Sequence, residues 1–217
     1  MRSHFDEQLA LLNRELIEMG ALCEEVIAAA AKALMEGDTA LAAQIAPRAG
    51  EIDRQERDIE SLCLKLLLQQ QPVARDLRQI SAALKMITDM ERIGDQAEDI
   101  AEIIGFLQGR SGEECAFVGH MARSAISMVT GSVDAYVRRD TALAREIIAR
   151  DDVVDEDFRK VKAELIDWIA RRPDDGEYAI DLLMIAKYFE RIGDHATNIA
   201  EWVVFAVTGV HNGEELT

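Results

Sequence analysis

The sequence predicts an all-α protein built from two tandem antiparallel three-helix bundles that are related by an internal repeat. Helix-favouring residues dominate the chain of 217 residues, which contains only three prolines and 5% aromatic residues. Residues 91–102 read ERIGDQAEDIAE, and residues 190–201 read ERIGDHATNIAE. Such self-similarity at a fixed spacing is typical of a duplicated structural unit.

A second matching pair of segments extends the repeat towards the start of each copy. DTALAAQI at 38–45 recurs as DTALAREI at 140–147, an offset of 102 residues, whereas the ERIGD segments are 99 residues apart. The smaller offset indicates a short deletion near Pro173 in the second copy. We therefore predict one bundle over residues 1–110 and a second over residues 111–217.

Each copy divides into three predicted helices. The first runs from about Phe5 to Glu36, with apolar residues spaced alternately four and three, as in the seam of a helical bundle. Gly37 and Asp38 then supply a helix stop and the next N-cap. The second helix ends before Pro72, and the third continues from there to about residue 107.

The second copy repeats this scheme, with its turns at Arg139-Asp140 and at Pro173-Asp174. Its middle helix carries apolar residues seven apart, each 102 positions after a counterpart in the first copy: Ile147, Val154, Val161 and Trp168. The apolar run Trp202–Val207 predicts either deep burial or pairing with another chain. From it we expect a homodimer.

Composition narrows the classes of partner. A net charge of −17 disfavours nucleic acid and broad adsorption to an anionic membrane, and it favours basic proteins or metal cations. The three cysteines are far apart and form no CxxC pair, so we expect reduced thiols packed in the core. The opening MRSHFDEQLALL is charged where a signal peptide needs an apolar block, and we expect a cytoplasmic protein.

The repeated segment carries a row of side chains with oxygen atoms that can bind a metal, and we call this row the comb. At about 100° per residue, Glu91, Asp95 and Asp99 fall on one flank of the third helix, and the apolar residues fall opposite. The last helix of the second copy repeats the pattern with Glu190, Asp194 and Asn198. We predict that both combs face away from their bundles.

A solvated helix face is the alternative interpretation of these carboxylates. Against it, like charges four residues apart repel by a few tenths of a kcal/mol per pair, and the duplication keeps this arrangement in both copies. Oxygen-only ligands suit hard cations, iron and manganese. The comb is therefore a candidate metal site that neighbouring helices, water or a partner would complete.

No motif indicates catalysis. The sequence contains no Glu-x-x-His of the kind that builds di-iron bundles and no glycine-rich phosphate loop. His195 is a further candidate ligand, with a hydrogen-bonded surface residue as the alternative, and its counterpart Gln96 in the first copy cannot serve the same role. Gly94 and Gly193 are expected to allow close helix packing, with room for a bound ion as the alternative.

Two copies of ERIGD…IAE, together with PVARDLR at 72–78 leading into DMERIGD at 89–95, resemble the PhoU family. The resemblance implies a non-enzymatic negative regulator of the phosphate-starvation response and of phosphate homeostasis. Its implied partners are the sensor histidine kinase and the ATPase subunit of the phosphate ABC transporter. The implied metal ligands are Glu91, Asp95 and Asp99, with Glu190, Asp194 and Asn198 in the second copy.

The candidate cofactors are iron, manganese, zinc and magnesium ions. Asn198 departs from an all-acid comb and lowers the charge of the second site. The competing function is a metal-buffering or structural helical bundle without a signalling partner. A carboxylate-bridged metalloenzyme is disfavoured because the histidine ligands are missing.

Overall fold

A computed structural model describes residues 2–69, 73–112, 115–211 and 214–215. These ranges contain eight α-helices, a 3₁₀ turn at Pro173–Asp175 and a short antiparallel pairing of Val210–His211 with Glu214–Glu215. The helices are α1 (Arg2–Glu36), α2 (Thr39–Ala42), α3 (Ile45–Gln69), α4 (Ala74–Phe106), α5 (Ala116–Arg138), α6 (Thr141–Ala149), α7 (Asp151–Arg171) and α8 (Gly176–Thr208).

The first copy forms an up-down-up bundle of α1, α3 and α4. Parallel α1 and α4 are joined by a hydrogen bond from Gln79 Nε2 to Asn13 Oδ1 at 2.9 Å. Further along both helices, the Cys23 thiol lies 3.4 Å from the Met90 carbonyl oxygen. The second copy repeats the bundle with α5, α7 and α8. The predicted fold class is confirmed, and the two-residue strands after Gly209 are a small addition to it.

The middle helix of each copy begins with a short separate helix, which the sequence analysis did not predict. Asp38 caps α2 by accepting from the Leu41 amide at 2.9 Å, and Asp140 caps α6 in the same way. In the first copy, α3 begins at Ile45, so Pro47 lies in its first turn. No helical hydrogen bond is lost there, because the N–H groups of the first turn have no partner within the helix. The counterpart of Pro47 in the second copy is Ala149, and α6 continues to that residue before α7 begins at Asp151.

The two bundles pack through α1 against α5 and through α4 against α8, and one apolar core runs across both. Glu24 of α1 accepts a hydrogen bond from Thr130 of α5 at 3.0 Å. Ala82 near the start of α4 packs with Phe205 and Ala206 near the end of α8, so these two helices are antiparallel. The apolar run 202–207 is thus largely covered by other helices of the same chain. Burial within the chain was the first of the two predicted alternatives.

Contacts between the end of the first copy and the second proline turn fix the connection between the copies. The Arg110 guanidinium donates to Asp175 at 2.9 Å and stacks 3.6 Å from the Tyr178 ring centroid. Hydrogen bonds from Trp168 and Arg110 lower the pKa of Asp175. The turn predicted at Pro72 lies outside the described residues, and the boundary between residues 110 and 111 stays a prediction.

All three cysteines are buried and free, as predicted. Burial raises the pKa of Cys63 and of Cys115 to about 12, so both thiols are protonated and inert at neutral pH. Within the described ranges, no helix combines the length and the apolar character that crossing a bilayer requires.

Gly37 and Gly50 provide a matched test of the first turn. Gly37 has φ +64°, and a Cβ there would overlap the Gly109 carbonyl oxygen. We expect Gly37→Ala to lower the free energy of unfolding by about 1–3 kcal/mol. Gly50 lies within α3 with open space around it, so Gly50→Ala should raise that free energy by about 0.5–1 kcal/mol. Urea denaturation measures the free energy of unfolding of both variants. Equal changes in the two variants would contradict the role given to the left-handed backbone of Gly37.

Candidate metal centre

Three carboxylates from two helices converge beside the repeated segment of the first copy. Asp53 of α3 joins Glu91 and Asp95 of α4, and one oxygen from each lies within 4.8 Å of the other two. We call these residues the acidic trio. All three side chains are partly buried. The trio therefore presents oxygen atoms to a common point, as a hard cation requires.

Backbone packing explains why the two helices meet there. Gly94 has no side chain, and the Ile52 side chain lies 3.1 Å from the position that a Cβ would occupy. This close approach brings α3 against α4, and the residue after Ile52 is Asp53. Glu91 and Asp95 are four residues apart and therefore lie on the same flank of α4. The glycine of ERIGD thus serves close packing, as predicted.

The trio holds more negative charge than its protein neighbours offset. Burial and the nearby Asp95 carboxylate raise the pKa of Glu91. Arg92 is the local counterion, with its NH1 2.9 Å from Asp95 Oδ2 and its Nε 3.3 Å from Glu91 Oε2. One guanidinium against three carboxylates leaves room for a cation to stabilise the native state.

Asp99 lies one turn further along α4 and is not a member of the trio. Burial and the neighbouring Asp95 raise the pKa of Asp99, and the positive charge of Arg191 on α8 opposes that rise. The predicted comb is therefore divided: Glu91 and Asp95 lie beside Asp53 of α3, whereas Asp99 lies near Arg191 of α8. Glu91 and Asp95 face α3 of their own bundle rather than away from it, because a helical wheel gives angles around one axis and not the position of the next helix.

The second copy groups its carboxylates differently. Burial raises the pKa of Asp194 in α8, and the charges of Asp151 and Glu190 add to the rise. Glu190 is engaged by the Lys187 ammonium, and the Thr197 hydroxyl donates to Asp151 at 3.3 Å. Within the described ranges, no second trio comes as close together as the first.

Asn198 and His195 link the two bundles. The Asn198 amide donates to Asp89 Oδ1 of α4 at 3.0 Å, and His195 Nδ1 lies 2.9 Å from the same oxygen. The His195 and Asp89 side chains are only 18% and 14% exposed, so this contact is largely shielded from water. Because the amide nitrogen makes this bond, the carbonyl oxygen of Asn198 is its candidate metal-ligand atom.

Sequence reasoning missed the ligands that the middle helices contribute. Asp53 follows Ile52, one of the apolar residues spaced by seven, and its counterpart 102 positions later is Asp155. The charge of Asp155 also raises the pKa of Asp194. The repeat offset marked these two aspartates as a pair, although only the packing at Gly94 shows that the first reaches Glu91.

The fold and this site define a class of duplicated three-helix-bundle proteins with carboxylates on the last helix of each bundle. The family model described as PhoU domain matches residues 16–104 and 118–203. A relative from Clostridium acetobutylicum, described as a phosphate-specific transport system accessory protein PhoU homolog, is 35% identical over 96% of each chain. One of the same description from Pseudomonas aeruginosa is 33% identical over 94% of this chain and 86% of its own.

Two solved structures share the architecture. The crystal structure of PhoU from Pseudomonas aeruginosa superposes with a TM-score of 0.91 at 33% identity, covering 95% of this chain and 100% of the other. The phosphate transport system regulatory protein PhoU from Streptococcus pneumoniae gives a TM-score of 0.84 at 25% identity, covering 98% and 99%. The chain belongs to the PhoU family.

The raised pKa of Glu91 predicts a pH-dependent effect of removing its charge. A carboxyl group whose folded pKa lies above its unfolded value of 4.5 binds more protons when folded, so its ionisation costs stability as the pH rises through that interval. Glu91→Gln should therefore stabilise the metal-free protein at pH 7, and the gain should shrink as the pH approaches about 4.5.

Urea denaturation of chelator-treated protein at several pH values measures this effect. Glu18→Gln is the control, because Glu18 is an exposed residue of α1. A stabilisation by Glu91→Gln that is the same at pH 7 and near pH 5 would show that the Glu91 charge is not the cause.

Proposed function

We propose that this chain is a non-enzymatic regulator of a phosphate transport system that represses the phosphate-starvation response when phosphate is plentiful. In this role it couples the sensor histidine kinase to the ATPase subunit of the phosphate ABC transporter. The observation that carries the proposal is the match to PhoU domains in both copies. The relative from Clostridium acetobutylicum, which has an accessory role by its description, aligns along 96% of each chain.

The acidic trio is the proposed primary metal site. Asp53, Glu91 and Asp95 supply three oxygens, and water or a partner protein completes the coordination sphere. Asp99, one turn further along α4, is a further proposed ligand. Iron, manganese, zinc and magnesium ions are the candidate occupants.

The second proposed site uses Glu190, Asp194 and Asn198, with Asp151 and Asp155 as neighbouring carboxylates. It is the weaker of the two, because Lys187 already engages Glu190 and Asn198 carries no charge. We expect the first site to fill at lower metal concentration than the second.

The carboxylate faces of the two proposed sites are the proposed docking surfaces for these partners, and metal occupancy would change their charge. An empty trio repels acidic partners, whereas a bound cation neutralises the surface and lets acidic or phosphate-bearing groups approach. The proposed location is cytoplasmic and peripheral to the membrane through these partners, and the proposed assembly is a homodimer. With a net charge of −17, nucleic acid is not a proposed partner.

The competing function is a metal-buffering or structural bundle without signalling partners. It shares the acidic trio but requires no contact with a kinase or a transporter. Co-purification of native complexes from phosphate-replete cells separates the two functions, because only the regulator retains the ATPase subunit or the kinase.

Metal binding at the trio is tested by one charge removal and one matched control. Asp53→Asn removes a ligand oxygen charge without changing size, and it should reduce bound iron or manganese by about tenfold or more. Asp58→Asn alters an exposed carboxylate on the same helix and should leave the metal content unchanged. Inductively coupled plasma mass spectrometry on dialysed protein gives the result, and equal metal content in all three proteins would remove the site.

The regulatory role predicts a phenotype in cells. Deleting the gene should leave alkaline phosphatase activity high in phosphate-rich medium, because the starvation response loses its repressor. Restoring the wild-type gene should lower that activity again. Continued repression in the deletion strain would exclude the signalling role, whatever the metal content of the protein.

A further inference from the structure

A groove of about 340 Å³ lies between α5 and α7 in the second bundle. Its polar lining is His120, Arg123, Ser124 and Ser127 from α5, together with Arg150 just before α7. No carboxylate belongs to the described lining, which is unusual in a chain of net charge −17. We infer that this groove binds a small phosphate-bearing anion, either inorganic phosphate or a phosphomonoester.

The donors occupy one face of α5. His120, Arg123, Ser124 and Ser127 follow the spacing of three, four and seven residues that aligns side chains along a helix. Arg150 reaches the same groove, where its NH1 donates to Ser127 Oγ at 2.8 Å. Because Ser127 accepts in this bond, its own hydroxyl hydrogen stays available to an anion.

The acidic residues near the groove are already paired. Glu146 accepts from Arg150 NH2 at 2.6 Å, which leaves other N–H groups of that guanidinium free. Asp157 is 3% exposed; one of its oxygens accepts from Lys160 at 3.1 Å, and the other contacts His120 Nδ1.

Arg123 is the free cation of the groove. It is exposed and takes part in no ion pair with any described carboxylate. A guanidinium offers paired N–H donors that match two oxygens of a phosphate group. Arg123 supplies the positive charge for the anion, and Arg150, whose charge Glu146 offsets, adds N–H donors.

The first copy provides an internal comparison, because it holds the same groove position with the opposite charge. The residues 102 positions before His120, Arg123 and Ser127 are Glu18, Ala21 and Glu25. Arg48, the counterpart of Arg150, is paired with Glu25 rather than with a serine. The two copies therefore differ in charge at equivalent positions of one framework. The inference rests on this groove and does not depend on the regulatory role proposed above.

The test is a titration of the intact chain with inorganic phosphate and, separately, with glycerol 3-phosphate, followed by amide chemical shifts at constant ionic strength. We expect saturable shifts confined to residues 120–127 and to the neighbourhood of Arg150. The anion that binds more tightly identifies the source of the phosphate group. No saturable shift at about 20 mM of either anion would overturn the inference.

Arg123→Glu should weaken binding by about tenfold or more, since it replaces a charged hydrogen-bond donor with a repelling group. Arg14→Glu makes the same charge change at an exposed position of α1 and should leave binding within about twofold. Equal weakening by both variants would mean that only net charge matters, and it would overturn the site. If Arg123→Glu fails to fold, Ser127→Ala provides the second variant, with weaker binding expected from the lost hydroxyl.

Discussion

The antiparallel packing of α4 against α8 is the constraint on which the rest of the structure depends. Each helix packs against two helices of its own bundle and against the last helix of the other bundle. Ala82 of α4 packs with Phe205 and Ala206 of α8 at one end of this contact. Polar side chains are thereby confined to narrow flanks of each helix.

This confinement explains the electrostatics of the acidic trio. The three carboxylates come from α3 and α4, and the close contact of Ile52 with Gly94 holds them together despite their repulsion. The cost appears as the raised pKa of Glu91, and Arg92 offsets only part of it. A cation at the trio would convert this repulsion into attraction, so metal binding and fold stability are thermodynamically linked.

Much of the framework was predictable because its determinants are local. Asp38 and Asp140 cap helices where the sequence places them, and the apolar spacing gives the bundle seams. Pro47 also marked the break before α3, a signal that the sequence analysis did not use. The site was only half predictable, since the contribution of Asp53 depends on the closeness of two helices, and the hydrogen bond of Asn198 to Asp89 depends on the docking of two bundles.

The two copies have diverged in charge while keeping one backbone framework. The first copy concentrates acid at the trio, and it places Glu18 and Glu25 where the second copy places His120 and Ser127. A long helix packed on several sides resists bending, so exchanging surface charges is an accessible way to give the copies different ligands. A cation at the proposed site of the first bundle and an anion in the proposed groove of the second would change what each surface attracts without moving α4 relative to α8. The largely buried contact of Asp89 with His195 lies between the bundles and favours that arrangement, because sliding the two helices would leave the Asp89 carboxylate without its partners.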